Sequence, residues 1–207
     1  MWFPSPYPDE LFYSVLCRYY LSSGIKEHYL VKKQLFGTKA GVKMATLYPN
    51  AAVHAVLSQL PEGVFDGRDM ILHHTPFLYY ARMHPQQERE VLLDDLLQGR
   101  SKTPTHLWRT FPKGDYALRY CPLCIQEDTK IYGEAYYHVE HQIPLSSVCV
   151  RHKCRLKQIA VDNPRLALNN RFYPLGTMGT DREPDMDVTP AELQVSELVR
   201  EYWRLPA

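Results

Sequence analysis

Two short motifs hold the residues best suited to chemistry. Cys121-Pro122-Leu123-Cys124 is a C-x-x-C knuckle, and after 24 intervening residues Cys149-Val150-Arg151-His152 is a C-x-x-H knuckle. Each two-residue spacer lets both side chains of a knuckle face one ion. Three thiolates and a neutral imidazole make a tetrahedral N/S set, which suits zinc, a d¹⁰ ion with no geometric preference of its own. Cys154 lies two residues beyond His152 and is the rival fourth ligand. The repeated knuckle spacing favours His152. Four protein ligands leave no open coordination position, so the expected site is structural, with one Zn²⁺, rather than hydrolytic.

Competing uses of these thiols fare worse. The opening Met1-Trp2-Phe3-Pro4-Ser5-Pro6 has neither the basic nor the long apolar stretch of a secretory signal, so the chain is read as intracellular, where structural disulfides are rare. A redox C-x-x-C needs a βαβ setting that is not seen around residue 121. Cys17 sits in an apolar helical pattern and is expected to be a small buried hydrophobe. Among nine histidines, His73 and His74 are adjacent and diverge on a helix. His138 and His141 lie near the knuckles but would have to displace better ligands. Asp94 and Asp95 diverge as well, and no nucleophile–base pair stands out, so the chain is not read as an enzyme.

The elements that position these residues are mostly helical. Pro8-Asp9-Glu10 opens a helix carrying Leu11, Phe12, Val15, Leu16, Tyr19 and Tyr20, and Gly24 closes it. A second helix, Lys26 to Phe36, ends at Gly37, and the pair resembles a helix-turn-helix. A third follows Pro49-Asn50, and Arg68 to His74 is helical. Pro85 to Gln98 carries a stripe of Val91, Leu92, Leu96 and Leu97. Ser101 to Gly114, with Trp108, reads as a linker. Residues 116–160 form the metal module, with short strands beside the knuckles and turns at Tyr132-Gly133-Glu134 and Ile143-Pro144. Thr180 to Pro190 is loop-like. Thr189-Pro190-Ala191-Glu192 starts a last helix through Leu193, Leu198, Val199 and Trp203, which has no stop signal and suggests a fragment of a longer protein. The expected fold is mostly α: a helix-turn-helix-like helical domain over 1–115, a zinc-ribbon-like module with short β-strands over 116–160, and a loop-rich connector with the start of a further helical region over 161–207.

Composition sets outer limits. The 207 residues are 45% hydrophobic and 23% charged, enough to bury a core, and no apolar run is long enough to span a membrane. The net charge is +1, but it is uneven. Residues 181–207 hold seven acids against three bases, and 62–95 hold the same ratio. Six bases face one acid in 18–43 and again in 151–171, and five face one in 100–119. Basic stretches of this kind can follow a phosphate backbone. The candidate phosphate contacts are Lys32, Lys33, Lys39 and Lys43, and after the second knuckle Arg151, Lys153 and Arg155.

The motifs also have a family look. Phe3-Pro4-x-Pro6-Tyr7-x-x-Glu10-Leu11-x-Tyr13-Ser14, then Arg119-Tyr120-Cys121-Pro122-x-Cys124, Tyr132-Gly133-Glu134-Ala135-Tyr136, His141-Gln142-Ile143-Pro144 and Cys149-x-x-His152, run in order within a resemblance that covers residues 3–175. The chain thus resembles the TnsD/TniQ proteins, target-selection factors of Tns-type bacterial transposons. The resemblance implies Cys121, Cys124, Cys149 and His152 as ligands. One departure is Lys153, where the family often has Gly after the ligand histidine. It further implies a bacterial, nucleoid-associated cytoplasmic protein that selects the insertion site, binds double-stranded DNA and recruits the AAA+ regulator TnsC. The alternative is an adaptor that links an RNA-guided effector complex to that ATPase with little DNA binding of its own. Trp2, Phe3 and Tyr7 are the candidate partner contacts.

Overall fold

A computed structural model describes residues 2–37, 44, 51–100, 117–161, 168–177 and 180–205. The expected linker around Trp108 and the candidates Lys39 and Lys43 lie outside the described residues. Helix α1 (Phe12–Ser23) buries Phe12, Val15, Leu16, Cys17 and Tyr19, and Gly24 ends it at φ +67°, a left-handed turn that glycine adopts without a Cβ clash. Helices α2 (His28–Phe36), α3 (Ala52–Leu57), α4 (Gly67–His73), α5 (Phe77–Ala81) and α6 (Gln86–Leu97) follow. Helix α3 packs on α2, α4 and α6, and α4 also packs on α5 and α6.

The α6 stripe differs from the sequence reading. Leu92, Leu93 and Leu96 are buried, Leu97 is half-buried, and Val91 is 58% exposed. At about 100° per residue, 92, 93 and 96 share one side and Val91 falls opposite them. In the last helix, α8 (Pro190–Arg204), Trp203 is buried and Leu193 and Val199 are half-buried, and Leu198 faces outward. Its start is as the sequence implies, with Thr189 and Glu192 forming a reciprocal capping box.

The metal module contains β1 (Arg119–Tyr120), α7 (Pro122–Tyr132), a 3₁₀ turn over Glu140–Gln142, β2 (Val148–Cys149), β3 (Cys154–Arg155) and β4 (Lys157–Gln158). Strands β1 and β4 pair antiparallel, as do β2 and β3, with Cys149 opposite Cys154. The fold class expected from sequence holds: mostly helical, with the short strands beside the knuckles.

The N-terminal segment ties the helices to the module. Leu11 N–H donates to Tyr137 O (2.7 Å), Val139 N–H to Asp9 O (2.8 Å), and Glu10 bridges His138. On the other side, Phe12 N–H donates to His74 O (2.7 Å). One apolar core therefore includes Phe12, Val56 and Leu92 together with Tyr120, Tyr137, Ile143 and Trp203. The division at residues 115 and 160 stands as a proposal about folding units. No helix among the described residues is long and apolar enough to cross a membrane.

Candidate metal centre and the clamps around it

Cys121 is the N-cap of α7. Its sulfur accepts from the Cys124 N–H (3.4 Å), and Pro122 fills the first helical position, where a missing N–H costs nothing. The first helical turn then aims Cys124 back at Cys121. The second knuckle closes a tight turn between β2 and β3, with Lys153 N–H on Cys149 O (2.7 Å). Lys153 takes φ +52°, the conformation in which glycine is the usual residue. That is the physical content of the departure at this position.

The ligand atoms of Cys121, Cys124, Cys149 and His152 lie within 4.8 Å of one another and could hold a metal ion. His152 Nδ1 is 3.5, 3.3 and 3.6 Å from the sulfurs of Cys121, Cys124 and Cys149. Cys154 is buried beside them, with its sulfur 3.3 Å from that of Cys121, but it falls outside the four-atom group. Hydrogen bonds from Cys124 and Cys149 hold the Cys121 thiol far below its ordinary range, at about 3, and contacts with Cys121 and Cys149 push Cys124 up. Three thiols this close can all ionise only around a cation. The donor set therefore fits a metal, and its softness fits zinc.

Two residues beyond the expected set support the cluster. Glu127, one turn after Cys124, brings a carboxylate oxygen within 3.3 Å of His152 Nε2 while its other oxygen accepts from Arg151 (2.6 Å). A carboxylate there faces the side of the imidazole away from the sulfurs, where it favours the form with Nδ1 free to ligate. His141, fully within the core, sets Nε2 4.0 Å from the Cys124 sulfur. Glu127 could have been suspected from its place three residues after Cys124 on a helix. The sequence offers His141 as a residue packed over the knuckles, and less well as a rival ligand, and packing is what the structure shows.

Next to the knuckles is a buried clamp that the spacing of residues does not announce. His138 lies between Asp128 (Nε2–Oδ2 2.9 Å) and Asp9 (Nδ1–Oδ2 3.3 Å). Burial pulls the imidazole toward neutrality, but hydrogen bonds to Asp128 and Asp9 outweigh it and raise its pKa to about 10. His138 is thus a cation joining the N-terminal segment to α7. A second clamp uses the opening motif. Arg18 donates to Glu10 (2.9 Å) and to Glu134 (2.7 Å), lies 3.7 Å over the Tyr7 ring, and Tyr7 O–H donates to Glu134 (2.9 Å). Burial raises the Glu10 pKa to about 7 even against the pull of Arg18.

The other candidates are dispersed. Phe3 is in the core between Tyr19 and Phe65, Tyr7 is in the second clamp, and Trp2 is 66% exposed. Lys32 donates to Asn169 O (2.8 Å), and Arg151 is paired with Glu127. Arg155 pairs with Glu192 (2.5 Å) and Asp185 (3.3 Å). Lys33 and Lys153 face solvent.

The TniQ family model matches residues 1–156. The chain is also 27% identical over 180 residues to transposon Tn7 transposition protein TnsD of Escherichia coli, an alignment covering 84% of this chain and 34% of that protein. The chain thus spans about a third of that relative's length. The matched region contains both clamps and all four clustered ligands, and on that match the chain belongs to the TniQ family.

Proposed function

We propose that this protein helps select the insertion site of a transposon, without catalysing a reaction itself. Family membership over residues 1–156 is the observation that carries this reading. Its metal would be one zinc held by Cys121, Cys124, Cys149 and His152. There it would supply no reaction chemistry. It would pin the start of α7 and the β2–β3 turn, and thereby the two clamps that set the N-terminal segment against the module. Bound to double-stranded DNA, the chain would recruit a TnsC-like AAA+ ATPase, with the exposed Trp2 as the nearest contact candidate.

The adaptor reading has specific support. Of the five described phosphate-contact candidates, Arg151 and Arg155 are spent in ion pairs and Lys32 on a backbone carbonyl. The remaining exposed pair, Lys33 and Lys153, would position a phosphate backbone weakly and read no bases. The discriminating experiment is a DNA-binding titration of this chain, with and without the ATPase, over a range of salt. Target selection through direct DNA binding predicts measurable, steeply salt-dependent affinity. Adaptor function predicts ATPase capture without it. Capture of neither DNA nor ATPase overturns both.

A further inference from the structure

Residues 180–189 form an arm without helix or strand. It carries four acids, Asp181, Glu183, Asp185 and Asp187, against the single base Arg182. The arm lies along the basic run after the second knuckle. From Lys153 to Lys157 a base stands at every second residue, alternating with Cys154 and Leu156. Side chains on extended backbone alternate between faces. Cys154 and Leu156 accordingly pack at the cysteine cluster, while Arg155 and Lys157 turn toward the arm.

The arm meets these two cations with oxygen acceptors. Arg155 pairs with Asp185 (3.3 Å) and with Glu192 at the start of α8 (2.5 Å), and Lys157 pairs with Asp181. The backbone of the arm adds two carbonyls: Arg155 N–H donates to Asp185 O (2.8 Å), and the Arg155 guanidinium donates to Asp187 O (2.6 Å). The N–H groups of Glu183 and Asp187 instead turn back to the carboxylates of Asp181 and Asp185 (3.0 Å each). The arm thus offers Arg155 and Lys157 what a nucleic-acid backbone offers, a line of anionic oxygens along an extended chain. Its grip is releasable. The carboxylates of Asp181 and Asp185 are 62% and 44% exposed, and ion pairs at such exposure are weak and screened by salt.

We propose that this arm is an autoinhibitory cover over a phosphodiester-binding strand. Arg155 and Lys157, with the exposed Lys153 beside them, take nucleic-acid phosphates when the arm is displaced. The inference rests on the proposed nucleic-acid contact, and it makes the ion pairs of Arg155 one state of a switch.

Duplex binding by the full chain tests it, with a labelled DNA duplex of arbitrary sequence and an RNA duplex of equal length as probes. Asp181→Asn with Asp185→Asn and Glu192→Gln removes the covering charges. The amide side chains keep the acceptors of the arm's turns and of the capping box. A control, Glu27→Gln with Glu62→Gln and Glu201→Gln, removes the same charge from residues elsewhere on the surface, all exposed. The arm variant should bind a duplex about tenfold or more tightly than wild type and control. On DNA its slope of log affinity against log salt should steepen by about two units, at about 0.9 for each phosphate gained. Adding Arg155→Ala and Lys157→Ala should cancel the gain. Should the triple variant fail to fold by circular dichroism, Asp181→Asn with Asp185→Asn decides by the same comparison. An equal gain in the control, a gain that survives loss of Arg155 and Lys157, or no gain over a wild type that binds DNA overturns the cover and leaves direct DNA contact standing. A gain on the RNA duplex alone keeps the cover and overturns direct DNA contact. No binding of either duplex by any of these proteins overturns both.

Discussion

In helices α1 to α6 the fully buried side chains include Phe12, Val15, Leu16, Val31, Leu35, Phe36, Val56 and Met70, an apolar interior of ordinary kind. The metal module instead buries Cys121, Cys124, Cys149 and Cys154 as a cluster of their own, with Leu123 and Leu156 half-covering it. Its two sheets have two strands each, of two residues. Such ladders supply few hydrogen bonds, and the module's apolar residues, Tyr120, Tyr137, Val139 and Ile143 among them, bury into the core shared with the helices rather than into one of their own. What substitutes is polar and specific: the thiolate–imidazole cluster, His138 between two carboxylates, and Arg18 between two more. The helical part should tolerate the loss of one contact, because dispersion is shared among many neighbours. The module should not.

Stripping the metal is the strongest way to break this contrast. Metal binding in small zinc peptides contributes apparent free energy on the order of 10 kcal/mol or more. We expect one zinc per chain, and its removal by chelation or by Cys121→Ser should abolish amide protection over residues 117–160 while α3, α4 and α6 keep theirs. Full zinc stoichiometry in Cys121→Ser, or equal loss of protection in both parts, would remove the distinction. In the same series His152→Ala should release zinc, and Cys154→Ala should retain it.

The clamp is next. His138→Ala leaves Asp9 and Asp128 buried without their cation, and breaking a buried ion pair costs about 3–5 kcal/mol. Because the clamp joins the N-terminal segment to α7, early proteolysis should shift to residues 2–11. A melting temperature within a degree of wild type would show that the clamp is incidental.

How far the sequence reveals these parts follows from distance along the chain. The knuckles are legible because ligand spacing within a turn is local. The stops at Gly24 and Gly37 and the box at Thr189 and Glu192 are legible for the same reason. The clamps are not, since Asp9, Asp128 and His138 share no period and meet only through the bridge of Glu10 to His138. The apolar pattern places Val91 on the wrong side of its helix. In α6 four leucines compete for one buried side, and the neighbouring helices choose Leu93 over Val91. In α8 the buried Trp203 with Leu193 and Val199 shares the inner side with Ser196, whose hydroxyl pairs with two backbone amides, and Leu198 lies opposite them.

A pH series sharpens the comparison at smaller amplitude. The Glu10 carboxyl titrates at about 7 in the folded chain instead of its ordinary 4.5. Its contribution is therefore fully favourable below about 4.5 and is lost as pH rises through 7. Glu10→Gln should flatten the decline in stability between pH 5.5 and 7.5, by on the order of 1 kcal/mol after allowance for its partner Arg18. Parallel denaturation profiles for the two proteins would mean that Arg18 and Tyr7 N–H fully compensate the buried charge.

The smallest effects belong to the surface, where neither part of the molecule is at stake. Trp2→Ala should leave the melting temperature unchanged, since the ring covers nothing in the core, and should weaken ATPase capture. Lys33→Ala with Lys153→Ala should likewise leave the fold intact, one change lying in the helical part and one in the module. If both lysines touch phosphates, each contributes about 0.9 to the slope of log affinity against log salt. The double variant should then flatten that slope by at most about two units, with the same loss on every DNA sequence. Each single variant assigns half of that loss to its own part of the molecule. A slope that changes only with Lys33 would place the backbone contact on α2, and one that changes only with Lys153 would place it on the turn after the ligand histidine. An unchanged slope in the double variant removes both lysines from any DNA interface and leaves the adaptor reading as the better account.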